Sequence, residues 1–397
     1  MIVPDPNFRP NAERAIYIQG VVDEQMVNRL APRIILLQSR SRAPITVYID
    51  SRGGSVASAE AILRLLSASN QNEDPPCRII TVAIGRASSA AAVILSSGNY
   101  AIAVPECIIF YHGVRQALDN PITVEYGSAL TESLKISNDQ SAMALARKTE
   151  WRFMFRFVNM MPEFDGVRQK SPSMSDLDCF VALTIEKLSP MAKGLINRAR
   201  ERHERYKALL DRGLVPAFKS KAVQSKTGQA MLEATVLKKI IGFEMSSHKK
   251  EPNWTFLSGG LARLNDDFLI LNEYIVSVQS EQFKRVCNVW GDFALTPQER
   301  AELAKIPEEA ARKKAKLDRV RPKFQPLFSF LVALCHALQE GEENYLTARD
   351  AFWLGLIDEV IGVDLPSYRL IEEYIPDPPA IPATAPQVVA KSASTQI

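Results

Sequence analysis

Between residues 15 and 112 the chain alternates short, uniformly apolar runs with amphipathic ones. AIYIQG reads as a strand and DEQMVNRLAPRIILLQS as a helix disturbed at Pro32; ITVYID and SVASAEAILRLLSAS repeat the pair. RIITVAIG is a third strand and SSAAAVILSSG a short helix of small residues; YAIAVP and CIIFYH are two further strands. The loop QNEDPPC, residues 71–77, separates the second helix from the third strand. Strands that are apolar at nearly every position predict a sheet buried on both faces. That implies an α/β fold with crossover helices.

From about 120 to 340 the texture changes. GSALTESLKISNDQSAMALARKTEWRFMFRF (127–157), the charged SPMAKGLINRARERHERYKALLDRG (189–213) and NDDFLILNEYIVSVQSEQFKRVCNVW (265–290) all carry apolar residues near helical spacing. YLTARDAFWLGLIDEVI (345–361) returns to a helix-then-strand pattern, and the Pro-, Ala- and Ser-rich tail reads as disordered. No internal repeat is visible.

Composition narrows the function classes. At 397 residues and 46% hydrophobic, the chain can bury more than one small core. A net charge of +3 does not suggest a nucleic-acid binder. Five scattered cysteines, an odd number, fit free thiols in a reducing compartment better than a disulfide framework. The start, MIVPDPNFRPNAER, lacks a secretory pattern, and no apolar run is long enough to span a membrane. A cytoplasmic location is the expectation. The four histidines, His112, His203, His248 and His336, form no metal motif, so neither a metal nor a cofactor is expected.

Three junctions carry candidate chemistry. Gly53-Gly54 closes the second strand just before a helix, which allows a tight turn, a phosphate cradle or a backbone N–H aimed at an oxyanion. Gly85-Arg86-Ala87-Ser88-Ser89 leads from the third strand into a helix, and His112 ends an apolar strand. Alone, such a serine is more often a helix N-cap, and such a histidine more often packs than reacts. Yet all three lie at carboxyl ends of successive strands, which converge on one crevice in an open α/β sheet. A hydroxyl, an imidazole and N–H donors together are what acyl transfer requires. The phosphate reading finds no G-x-x-x-x-G-K-[ST].

The same residues resemble the proteolytic subunits of Clp proteases, in the ClpP/crotonase superfamily. VYIDSRGGSVASAEAI is similar to the family's Y-I-N-S-P-G-G-x-[VI], and GRASSAAAVILSSG to its G-x-A-[AS]-S-M-[GA]-A-x-[LI]-L-x-[AS]-G. AVPECIIFYHGV resembles the strand that ends in the catalytic histidine, and ENYLTARDAFWLGLIDEVI the closing segment that carries the acid. The likeness covers roughly 15–150 and 330–362. It implies a ClpP/crotonase-like ββα-repeat fold with a mostly α-helical insertion domain. The implied parts are a core over 1–151 that includes a handle near 119–150, the insertion over 152–325, the rest of the core over 326–365, and the tail over 366–397. Carried over by position, the resemblance implies Ser89 as nucleophile, His112 as general base and Glu343 as the acid, with Glu342 and Asp350 close enough to compete. It implies the amides of Gly54 and Ala90 as oxyanion donors. Arg52 stands where the family has proline, Ala90-Ala91 where it has Met-Gly, and Glu343 where aspartate is usual. His112 and Glu343 are 231 positions apart, far more than the family needs.

Function follows as expectation: a serine endopeptidase acting on unfolded polypeptides, assembled as a homo-oligomeric ring and fed by a separate AAA+ unfoldase. A non-catalytic scaffold or regulatory relative is the rival, and a crotonase-like acyl-CoA enzyme a third reading. Two basic runs, Lys193–Lys226 and Arg312–Lys323, read as solvated helical faces or as a surface for an acidic partner. Without aromatic interleaving, nucleic acid is not an expected partner. The insertion's charged helices suggest a separately packed lobe.

Overall fold

A computed structural model describes residues 9–68, 76–116, 123–209, 281–340 and 343–366. Most of the 71–77 loop, Glu342, His248, the segment 210–280 and the tail from 367 lie outside the described residues.

Strands β1 (Ala15–Val22), β2 (Ile45–Gly54), β3 (Ile79–Ser88), β4 (Tyr100–Ala103) and β7 (Glu359–Val360) form a parallel sheet in the order β1-β2-β3-β4-β7. β3 is shared. Its first half pairs with β4, and Arg86, Ala87 and Ser88 pair with Ile108, Ile109 and Phe110 of β5 (Ile108–Tyr111). β5 in turn pairs antiparallel with β6 (Asn344–Thr347). The fold is α/β, as the strand pattern predicts, and the antiparallel β5–β6 pair makes the sheet mixed.

Helices α1 (Glu24–Arg40), α2 (Val56–Ser67) and α3 (Ala90–Ser96) lie against it, α1 on β1 and α3 on β2 and β3. Asp23 starts α1 by accepting the Met26 N–H at 2.8 Å. The helix continues through Pro32 because Met26, Leu30, Ile34 and Leu37 stay buried on one face. The opposite face of the sheet is also buried at β3 and β4, as expected, but opens toward β1 and the end of β3. There Ile80, Val82, Tyr100 and Ile102 form a small cluster of their own, while Tyr17, Val21 and Ile84 stand exposed.

The remaining helices are α4 (Val124–Met160), α5 (Phe164–Lys170), α6 (Asp176–Lys187), α7 (Pro190–Leu209), α8 (Glu281–Ala294), α9 (Pro297–Ala304), α10 (Glu309–Gln339) and α11 (Ala348–Trp353). The boundaries expected at 151/152 and 325/326 fall inside α4 and α10. No separate lobe core exists among the described residues. Phe153, Phe180 and Phe330 of the helical region share one cluster with Ile16, Ile49 and Leu95 of the sheet layer. Arg152 and Arg156, one turn apart on α4, fix the join. The Arg152 guanidinium donates to Asp358 Oδ2 at 2.6 Å and to the carbonyls of Ser96 and Gly98, at 2.8 and 2.5 Å. Arg156 donates to the carbonyls of Phe352, Ile357 and Asp358 and stacks on the Phe352 ring at 3.5 Å. Of the second basic run, Lys313, Lys316, Arg319 and Lys323 are paired with Glu309, Asp292, Glu302 and Glu299 on α8–α10. The first run is described only to Leu209.

Two buried histidines give the molecule a pH dependence. His203 on α7 and His336 on α10 are both held neutral by burial. The Arg202 guanidinium adds to this at His336, whose Nδ1 stands 3.4 Å from the Asp139 carboxylate. At His203 the opposing fields of Lys207, Glu204 and Asp178 leave burial dominant. Unfolded imidazoles take up a proton near pH 6.5, whereas these rings resist it, so the unfolded state binds more protons below that pH. Stability is therefore complete above about pH 6.5 and falls as pH drops toward the folded values, by up to about 1.4 kcal/mol per pH unit and group. Thermal melts between pH 8 and 5 should show this slope, shallower in His336→Gln. An equal slope in that variant would refute the assignment.

Candidate active site

The carboxyl ends of β2, β3 and β5 meet around one residue, Ser89. Ser51 braces the end of β2: its hydroxyl donates to the Gly20 carbonyl at 2.5 Å and accepts the Gly53 N–H at 3.0 Å. Gly53 and Gly54 then adopt φ of 86° and 155°. A Cβ on Gly53 would stand 2.4 Å from the Ser88 carbonyl oxygen and 2.8 Å from Ser89 Cβ; one on Gly54 would stand 2.3 Å from the Val22 oxygen. The pair therefore serves close approach as well as turning. Gly53 lets β2 lie against the Ser89 junction, and Gly54 lets it lie against β1.

Gly53→Ala should cost roughly 2–5 kcal/mol, from a strained φ and a backbone clash together. Gly20→Ala provides the comparison: φ is 84°, but nothing lies within 4 Å of the new Cβ. It should cost only about 1–2 kcal/mol. Chemical denaturation of both measures the difference, and equal losses would show that the contact with Ser88 and Ser89 is unimportant.

At the end of β3, Ser89 has φ 55° and ψ −125° and is the one non-glycine residue with positive φ among the described residues. Such a conformation persists only where surroundings over-determine it. Here the Ser89 N–H is tied to the Phe110 carbonyl at 2.7 Å and Gly53 closes the other side. Buried Ala90, Ala91 and Ala92 let α3 start at once beneath the sheet. Although Ser89 occupies the N-cap position, its hydroxyl makes no cap hydrogen bond. The hydroxyl is thus not spent on the helix, and Ser89 is partly exposed whereas Ser88 is buried in the strand. The Ala90 N–H, first in α3, has no partner within its helix.

His112 follows β5 directly, its ring 5.2 Å from that of Phe110. Nδ1 lies 2.5 Å from the Gly113 carbonyl oxygen. A carbonyl only accepts, so Nδ1 carries the proton and donates, leaving a lone pair on Nε2. That is the tautomer a general base needs. Ser89 and His112 share the same edge, but they are not hydrogen-bonded to each other.

Glu343 is the more complex case. β5 and β6 pair Phe110 with Tyr345 and Tyr111 with Asn344, so the register continued by one residue sets His112 opposite Glu343. Its carboxylate, however, accepts from the Tyr345 hydroxyl at 2.8 Å and lies 3.6 Å from Arg115 Nη2. That bond also pushes the Tyr345 phenol up. The backbone stands where the acid is expected, and the side chain does not touch His112. Asp350 is no substitute. Both its oxygens cap neighbours: it accepts from the Ser189 N–H and hydroxyl and from the Thr347 N–H and hydroxyl, all within 3.1 Å. Glu342 is outside the described residues.

Sequence reasoning missed the residues that hold this edge from the helical side. Asn138 of α4 accepts the Val114 N–H at 2.6 Å, and a Cβ on Gly113 would stand 2.5 Å from the Gln339 carbonyl. The signal was faint: a single glycine after His112. Cys107, near the site, is no rival nucleophile, since burial, then the field of Asp50, pushes its thiol up to about 12. Among the described residues no three His, Cys, Asp or Glu side chains are placed to share a metal ion, and no helix is long and apolar enough to cross a membrane.

The comparisons with known proteins fall on the sheet part. The family model for Clp protease matches residues 8–125. ATP-dependent Clp protease proteolytic subunit 2 of Corynebacterium glutamicum is 34% identical over 104 residues, 25% of this chain and 49% of that protein. Subunit 1 of Mycobacterium tuberculosis is 32% identical over 104 residues, with the same shares. The proteolytic subunit of Carsonella ruddii is 31% identical over 87 residues, 22% and 42%. The chain thus spans about half the length of the curated relatives it matches. Ser89 and His112 lie within the matched span; Glu343 and most of the helical region lie beyond it.

Proposed function

We propose that this chain, whose residues 8–125 match the family model for Clp protease, is a Clp-type serine peptidase acting on unfolded polypeptides. What supports this most is the Ser89 junction: a strained elbow with an uncapped hydroxyl, next to a histidine in the base tautomer. In this reading Ser89 Oγ attacks the scissile carbonyl while His112 Nε2 takes its proton. The Gly54 and Ala90 amides stabilise the tetrahedral oxyanion, and the imidazolium then protonates the leaving amine. In the resting arrangement the Gly113 carbonyl holds Nδ1–H. Glu343, across the strand pair, takes over that role on leaving Tyr345 and Arg115. Assembly into a homo-oligomeric ring served by a separate AAA+ unfoldase belongs to the same proposal, because the sequence carries no P-loop of its own.

The decisive experiment incubates the purified chain with a fluorophosphonate and locates the adduct by mass spectrometry. Attachment at Ser89 supports the reading; attachment at Ser88, or none, overturns it. The engaged Glu343 carboxylate favours a second reading, a non-catalytic member of the family. That one predicts no adduct and no peptide hydrolysis.

A further inference from the structure

We infer that the helical region is a positioning element for the proposed site, with Arg198 of α7 holding the strand that carries Glu343. This rests on the reading of Glu343 as the acid, and it arises from bonds that cross between the two parts of the chain. Arg198 Nη2 donates to Asn344 Oδ1 at 2.6 Å. Asn344 is buried and donates its own amide to the carbonyl of Leu338 at 3.0 Å, at the end of α10. One residue past Glu343, the chain is thus pinned between α7 and α10. Nine residues before Arg198, at the start of α7, the Ser189 N–H and hydroxyl hold Asp350, at 2.8 and 2.9 Å, just beyond β6. Arg202, one turn further along α7, pairs with Glu340 at the other end of the segment.

Three successive contacts of one helix therefore bracket residues 340–350. Among the described residues strand β6 has one neighbour in the sheet, β5, so its placement depends on this bracket. The alternative, that these are ordinary surface pairs, fits Arg202–Glu340 and its exposed carboxylate. It fits Asn344 and Asp350 poorly, since both are buried and without α7 each would lose part of its hydrogen bonding. The consequence is that motion of α7 changes where Glu343 lies relative to His112. Arg198 is a positioning residue, with no contact to the reacting atoms in this reading.

The test uses the full chain with Arg198→Ala, Arg198→Lys and, as control, Arg200→Ala, whose exposed ion pair with Asp178, at 3.6 Å, is not one of the bracket's contacts. The rate of fluorophosphonate attachment to Ser89 should fall about tenfold in Arg198→Ala, with a partial return in Arg198→Lys and no change in Arg200→Ala. The acidic limb of the rate-against-pH curve should move to lower pH, because a displaced carboxylate no longer favours the imidazolium. Hydrogen exchange of the 344–347 amides should quicken in Arg198→Ala. If the wild-type chain is labelled and Arg198→Ala keeps both its rate and its pH curve, the inference fails while the peptidase reading stands. If the wild-type chain is not labelled, the peptidase reading fails. Exchange then decides alone: unchanged protection of 344–347 in Arg198→Ala overturns the inference, and faster exchange upholds the bracket.

Discussion

Ser89→Ala should lower peptide hydrolysis by about 10⁴-fold or more and leave the thermal midpoint close to that of the wild-type chain. The two halves of this expectation have different causes. Loss of rate follows from removing the proposed nucleophilic oxygen, with His112 and the proposed backbone donors left in place. Retention of stability follows from the hydroxyl's lack of a cap hydrogen bond, so its removal orphans no partner. The backbone strain at φ 55° is present in both forms, since serine and alanine carry the same Cβ. A fluorogenic peptide assay beside differential scanning calorimetry measures both. Equal activity in the variant would remove Ser89 from the mechanism, and a large drop in melting temperature would show that its hydroxyl is structural after all.

The second large effect lies far from the chemistry. Arg152→Ala should cost roughly 3–5 kcal/mol, or a drop in midpoint on the order of 5–10 °C. Arg152 and Asp358 are buried, their side chains 3% and 0% exposed. The substitution strands the Asp358 carboxylate in an apolar interior, although the Ala101 N–H still donates to it at 2.6 Å. It also orphans the Ser96 and Gly98 carbonyls at the end of α3. Replacing both partners, as Arg152→Met with Asp358→Leu, should recover only part of the loss, because those carbonyls and the Ala101 N–H stay unpaired. Scanning calorimetry decides, and a loss below 1 kcal/mol would mean water has replaced the guanidinium.

How far this was legible in the sequence differs from residue to residue. The strands of the sheet, Gly53-Gly54 and the order Ser89 then His112 were visible, because apolar runs and glycines report local backbone demands directly. The left-handed conformation of Ser89 was not, since it is imposed by Gly53 and the Phe110 carbonyl from other strands. Glu343 was singled out through its motif, and the β5–β6 register puts its backbone opposite His112. Its bonds to Tyr345 and Arg115 depend on side-chain rotamers that no pattern specifies. The expected boundary at 152 cut a helix that periodicity itself drew as continuous from 127 to 157. Arg152 and Arg156 inside WRFMFRF were the overlooked signal: two cations one turn apart in an aromatic run need buried acceptors. The charge of Arg312–Lys323 said little of its partners, because three of the four acids lie on other helices.

The pairing of β5 with β6 also has a consequence for synthesis. His112 and Glu343 are 231 positions apart, and a ribosome adding about 5–20 residues each second needs roughly 10–50 s to cross that interval. Throughout it, β1 to β5 can already be docked while one edge of β5 has no strand beside it. An unpaired apolar edge invites pairing with another chain. The nascent protein thus passes through a window in which the elbow at Ser89 can already form, strand β6 with its neighbour Glu343 has not been translated, and the open edge of β5 is exposed to other chains.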